Sequence, residues 1–264
     1  MQSINPKRKK WPSLFSETPL KLTINDWIKA FSVMWLTYLL FNTKNPFANS
    51  LNVSGTTFIT SATAGLQILI VLSGLIYFGL ICLGVFWAVG IKGFQQLFAR
   101  ARFRDIWYVL GYGVLFSVFQ SMGTGLSEII PVNYSVDLVN TLQAAQLTSW
   151  SAFAFIGIHS FFYLLGNQII AIMIFLAIYQ AAHHVLPKHG RWAMFFTYFI
   201  AAILVGALST TPANAHLARN VIAGGIAQLP LFWAYRRSRN VLVVTLAAFL
   251  INQLVIALIV WVGF

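Results

Sequence analysis

Apolar residues gather along this chain into long runs separated by short polar or basic links. The runs 27–41, 64–91, 106–120, 192–208, 221–235 and 241–262 each read as one helix, because a bilayer core of about 30 Å is spanned by about 20 apolar helical residues. The run 151–186 is longer, and as one straight helix its 36 residues would measure about 54 Å. It is therefore expected to bend or break, with Gly166 as the joint between 151–165 and 167–185 and Pro187 as the stop. Between 123 and 150 the chain turns polar and mildly acidic, and Pro131 marks a break. Within it 137–147 reads as a short amphipathic helix along the membrane surface, with Leu138, Leu142 and Ala145 on one face. The pattern predicts an all-α, polytopic integral membrane helical bundle of about eight helices. It divides into a basic N-terminal tail (1–26), N-terminal transmembrane helices with a polar link (27–150) and a C-terminal core (151–264).

Composition narrows the class. With 59% hydrophobic and only 8% charged residues among 264, and a mean hydropathy of +0.77, the chain is too apolar for an average soluble domain, so its principal partner is the lipid bilayer. The formal charge of +12 sits in short clusters between apolar runs, which fits membrane orientation and argues against nucleic acid. If 151–186 crosses once, the cytoplasmic side collects Lys7 to Lys10, Lys92 to Arg104, Lys188, Arg191 and Arg236 to Arg239. Only Lys44 and Arg219 are then left outside. The N-terminus is thus expected in the cytoplasm, as a solvated tail, because no continuous apolar segment follows its basic cluster to form a cleavable signal. Cys82 is the sole cysteine, so no intramolecular disulfide can form.

Candidate chemistry lies in the C-terminal core. Asn167, Gln168, Ser209 and Asn252 interrupt otherwise apolar runs, and a polar group at membrane depth is costly unless it faces protein, water or a ligand. All are uncharged, and the five carboxylates, Glu17, Asp26, Asp105, Glu128 and Asp137, all precede this stretch. Two readings stand for Asn167, Gln168 and Ser209: hydrogen-bonded ties between helices, or a pocket that binds peptide amides. His183 and His184 are adjacent on a helix, about 100° apart, and lack the i, i+4 spacing a metal prefers; with His189 they neighbour Lys188 and Arg191, which repel a cation. His159 and His216 are isolated. No metal or cofactor is expected.

Three stretches resemble a known family at matching order and spacing. Tyr163 to Ile170 (YLLGNQII) is similar to the first motif of the CPBP family (CAAX proteases and bacteriocin-processing enzymes, also called Abi), in which a Glu-Glu pair opens a membrane helix. Leu204 to Pro212 (LVGALSTTP) resembles its second motif, Phe-Gly-x-x-His followed by Pro. Trp233 to Asn240, leading to Ala248 and Asn252, resembles the turn before its last motif, His-x-x-x-Asn. The resemblance covers about 90 residues. It implies a CPBP-like core, a bacterial cytoplasmic membrane, and contexts such as peptide processing, bacteriocin immunity or envelope regulation.

The departures fall on the catalytic positions. Asn167 and Gln168 stand for the two Glu, Ser209 for the first His and Ala248 for the second, while only Asn252 keeps the family's residue type. An amide cannot replace a carboxylate as general base or metal ligand near neutral pH, and Ala248 has no coordinating atom. The chain is therefore expected to be a proteolytically inactive member that binds a peptide or another membrane protein. Two rivals remain. One is an active endopeptidase assembled from Ser209, His216, Glu128 and Asp137. The other is a small transporter, which paired broken helices or internal repeats would favour.

Overall fold

The computed structural model describes residues 22–43, 64–98, 101–129, 150–186, 190–210 and 216–262. Among them are seven helices and no β-strand: α1 (Ile24–Thr43), α2 (Ala64–Leu97), α3 (Arg104–Glu128), α4 (Trp150–Val185), α5 (Gly190–Leu208), α6 (Leu217–Ser238) and α7 (Val241–Val262). The count is seven against the expected eight because residues 150–185 form one helix where two were expected; the expected surface helix at 137–147 and the Lys7 to Lys10 cluster lie outside the described residues.

Capping and close packing fix these elements. Thr23 and Asp26 form a reciprocal cap on α1: the Asp26 carboxylate accepts from the Thr23 amide (2.9 Å) and hydroxyl (2.8 Å), and the Thr23 hydroxyl oxygen accepts from the Asp26 amide (3.3 Å). These bonds, the backbone one foremost, hold the Asp26 carboxyl below its ordinary range. Within α2, Gly90 adopts a left-handed φ of 67°, open only to glycine at little cost, and divides the helix into 64–89 and 91–97. The α6–α7 turn needs two residues: Arg239 takes a left-handed conformation (φ 58°), and the Asn240 side chain accepts from the Leu242 amide at 2.9 Å.

The helices enclose α4. It packs against α2, α5 and α7; α6 joins α5 to α3, and α3 returns to α7, while α1 lies on α2. The α5–α6 contact is close enough that a Cβ on Gly206 would meet the Val221 carbonyl at 2.7 Å, and one on Gly225 the Ala202 carbonyl at 2.8 Å. Small residues allow this backbone approach where apolar burial gives no drive between helices. Tyr77, Phe175, Phe232 and Tyr235 are fully enclosed, whereas Trp35, Trp107, Phe195 and Phe199 stand on the outside, as lipid as solvent requires. Among the described residues four helices, 71–97 of α2, α3, 157–185 of α4 and α5, are long and apolar enough to cross a membrane, and the chain is a membrane protein.

One expectation is corrected. Helix α4 runs unbroken through Gly166 for 36 residues. Gly166 is a packing notch instead of a joint: a Cβ there would stand 2.7 Å from Cε1 of the Tyr77 ring. The unbroken helix has a consequence for charge. Every described Lys and Arg except Arg219 lies toward the end of the bundle where α1, α3 and α5 begin and α2, α4 and α6 finish.

Candidate functional site

Adjacent residues on α4 point about 100° apart, and Asn167 and Gln168 accordingly serve two different faces. The Asn167 carbonyl oxygen accepts from the Tyr77 hydroxyl at 2.5 Å. Tyr77 is itself held in an aromatic column, stacked on Tyr163 (centroids 4.7 Å apart), which stacks on His159 (5.9 Å), and flanked by Phe41 (5.4 Å). Gln168, turned the other way and 5% exposed, accepts from the amide of Gln228 on α6 at 2.9 Å. Phe175 and Phe232 continue that α4–α6 seam with stacked rings 4.9 Å apart.

Asn167 also lines a small cavity of about 120 Å³ with Tyr38 of α1, Val205 and Leu208 of α5, and Ser209 just beyond α5. The end of α5 leaves carbonyls without helical partners. Ser209 donates its hydroxyl to the Gly206 carbonyl at 2.5 Å, and the Tyr38 hydroxyl donates to the Leu208 carbonyl. Ser209 is solvent- or lipid-exposed at the cavity's rim. The Asn167 amide nitrogen makes no hydrogen bond to a described residue, which leaves it as a donor for whatever enters.

The structure thus brings two of the sequence candidates, Asn167 and Ser209, to one cavity and sends Gln168 to an interhelical tie. Ala248 is fully enclosed in the core, on α7, and does not line the cavity. The side chain of Asn252 lies outside the described ones. Tyr38, Tyr77 and Gln228 join the site unforeseen. Gln228 had a signal, as the one amide in the apolar run 221–232, whereas the two tyrosines read as ordinary core aromatics.

Charge is kept away from this cavity. Asp26 caps α1, Asp105 accepts from the Arg102 amide (2.7 Å) before α3, and Glu128 is exposed at the last residue of α3. Asp137 and Glu17 lie outside the described residues. Among the described residues no three His, Cys, Asp or Glu gather where a metal could be held. His183 sits edge-on to Tyr179 (4.7 Å), His184 is exposed, and His189 is outside the described residues. The cavity offers neutral donors and acceptors, which can orient a carbonyl or an amide; its lining supplies no carboxylate or imidazole to take a proton. Comparison with family models, with curated proteins and with solved structures finds no match for this chain.

Proposed function

We propose that this protein is a non-catalytic membrane protein of the CPBP type, which binds a peptide or the membrane-embedded segment of a partner at the cavity of Asn167, Ser209 and Tyr38. The observation that carries the reading is the meeting of Asn167 and Ser209: two motif positions on separate helices line one cavity, as a shared ancestral site requires, with neutral groups in place of acid and imidazole. An amide with a donor to spare and a nearby hydroxyl match a backbone carbonyl and N–H. They lack the base and metal that hydrolysis of a peptide needs. In this reading the basic end of the bundle faces the cytoplasm of a bacterial cell, following the excess of Lys and Arg there, and the cavity opens toward the opposite side. Bacteriocin immunity and envelope regulation are the contexts that suit such a binder. Ser209 does not favour the active-enzyme alternative, since its hydroxyl is committed to a main-chain carbonyl.

The test uses the protein in lipid nanodiscs with a pool of membrane-derived peptides, with and without zinc. The expected result is no peptide fragments, no stoichiometric zinc, and retention of a subset of peptides that the Asn167→Ala, Ser209→Ala double variant releases. Zinc-dependent fragments lost on Ser209→Ala would establish an enzyme and overturn the proposal; retention unchanged in the double variant would remove the cavity from binding.

A further inference from the structure

Helix α6 ends on Arg239, the one non-glycine residue with a left-handed φ among the described residues. Glycine is usual at such a position, because a Cβ there crowds the backbone. The turn gives Arg239 little room to relax: its amide donates to the Tyr235 carbonyl (2.7 Å), the Asn240 amide donates to the Ser238 hydroxyl (3.2 Å), and Asn240 is buried. An arginine kept in a strained conformation that its surroundings enforce points to a use for its side chain.

The fold sets a second arginine beside it. Phe98, where the α2–α3 link begins, forms an antiparallel backbone bridge with Asn240. Helices α3 and α7 start at the same end of the bundle and pack so closely that a Cβ on Gly113 would meet the Ala247 carbonyl at 3.0 Å. Eight residues before that contact on each chain segment (113 to 105, 247 to 239), the start of α3 comes level with Arg239. Arg102 lies just ahead of that start. Burial foremost lowers the Arg239 pKa from its ordinary value, and Arg102 adds to the effect while Tyr235 opposes it. Two like charges brought together, one of them partly out of water, favour a ligand of opposite charge.

The chain has few anions of its own to supply, with five carboxylates against 17 Lys and Arg. The two described at this end are engaged: Asp26 turns onto Thr23, and Asp105, 6% exposed, accepts from the Arg102 amide (2.7 Å). The neighbouring side chains select a lipid as the source. Phe103, 82% exposed, stands between Arg102 and Arg104, and Ile106 and Trp107 follow on the outside. Large apolar side chains interleaved with arginines belong at the headgroup level of a bilayer, where tryptophan and cationic residues both gather. A guanidinium presents a planar fork to phosphate oxygens, and a net-anionic headgroup avoids the repulsion that the cationic end of a zwitterionic one would meet here.

We infer that Arg102 of the α2–α3 link and Arg239 of the α6–α7 turn hold the phosphate of one anionic phospholipid at the basic end of the bundle. The inference is independent of the peptide-binding reading above. It is tested by native mass spectrometry of the full chain released from nanodiscs containing equal phosphatidylglycerol and phosphatidylcholine. The expected spectrum shows phosphatidylglycerol retained in preference, with the retained fraction falling about fivefold in Arg102→Gln and, independently, in Arg239→Gly. Lys29→Gln removes a charge from the same end, where Lys29 lies over the Trp87 ring at 5.8 Å, and is expected to keep the adduct. Arg239→Gly also separates ligand from scaffold, since glycine accepts the left-handed backbone. Its Tm in phosphatidylcholine should match or exceed that of the parent, while the rise that phosphatidylglycerol gives the parent should be lost. Equal retention of the two lipids, an adduct unchanged in both arginine variants, or an equal loss in Lys29→Gln would overturn the site. A Tm lowered alike in both lipids by Arg239→Gly would make the arginine structural, and the same stabilisation by inorganic phosphate in phosphatidylcholine nanodiscs would assign the pair to a free anion; either result overturns the proposal.

Discussion

Replacing Gly166 by Ala adds one methyl group to the middle of a long helix, where substitution of Gly by Ala ordinarily gains about 0.5–1 kcal/mol. Here that methyl would stand 2.7 Å from Cε1 and 3.0 Å from Cδ1 of Tyr77. The ring cannot easily retreat: it is fully buried, stacked on Tyr163, and bonded through its hydroxyl to Asn167. Overpacking of this kind costs typically about 1–3 kcal/mol, so Gly166→Ala is expected to destabilise by roughly 0.5–2 kcal/mol after the helical gain. For a chain of this size that corresponds to a fall in Tm of about 2–6 °C. The assay is unfolding in detergent micelles followed by circular dichroism. Gly79→Ala is the control, because a methyl there meets nothing within 4 Å. A second substitution, Tyr77→Leu, should recover part of the loss in the Gly166→Ala background, since the clashing ring atoms are gone. Gly166→Ala as stable as the Gly79→Ala control would refute the notch and restore the glycine as a free joint.

The Gln168–Gln228 bond should behave as a pair: Gln168→Leu or Gln228→Leu alone strands a buried amide at a cost of about 1–3 kcal/mol, while the double variant is expected near neutral. A double-mutant cycle of unfolding free energies measures this coupling, and additive losses would count against the bond. The depressed Asp26 carboxyl stabilises the first turn of α1 at pH values above its ordinary unfolded range, and that contribution is lost as pH falls through the lower folded value. The protection factors of the amides following Thr23, taken against the intrinsic exchange rate at each pH, should therefore fall on acidification, and in Asp26→Asn they should already be low at neutral pH. An exchange profile indifferent to both changes would show that the cap does not hold the turn.

The helical runs were legible because hydropathy over about 20 residues is a property of each segment alone. The role of Gly166 was not, because it depends on Tyr77, 89 residues away, and a glycine in an apolar run carries no mark distinguishing a hinge from a notch. Asn167 and Ser209 were legible as polar interruptions, and their meeting at one cavity follows from the α4–α5 contact. Tyr38 and Tyr77 were hidden for the opposite reason: a phenol in an apolar run looks like core until its hydroxyl finds a partner. Gln168 and Asn167 differ in role only because successive helical residues face different neighbours, α6 for one and α2 for the other.

Two hydrogen bonds that tie α1 to the bundle, from the Trp27 indole to the Gln180 side chain of α4 and from the Tyr38 hydroxyl to the Leu208 carbonyl, also set an order of events in the making of the protein. Trp27 and Gln180 are 153 residues apart, and Tyr38 and Leu208 are 170 apart. At about 5–20 residues per second, the ribosome delivers Leu208 roughly ten to thirty seconds after Tyr38. Until Gln180 is made α1 has neither of its anchors, and until Leu208 is made its tyrosine hydroxyl must be satisfied by water, lipid headgroups or the insertion machinery. The groove that Ile28, Ile178 and Leu204 line between α1, α4 and α5 is consequently a product of late assembly, complete only when α5 arrives.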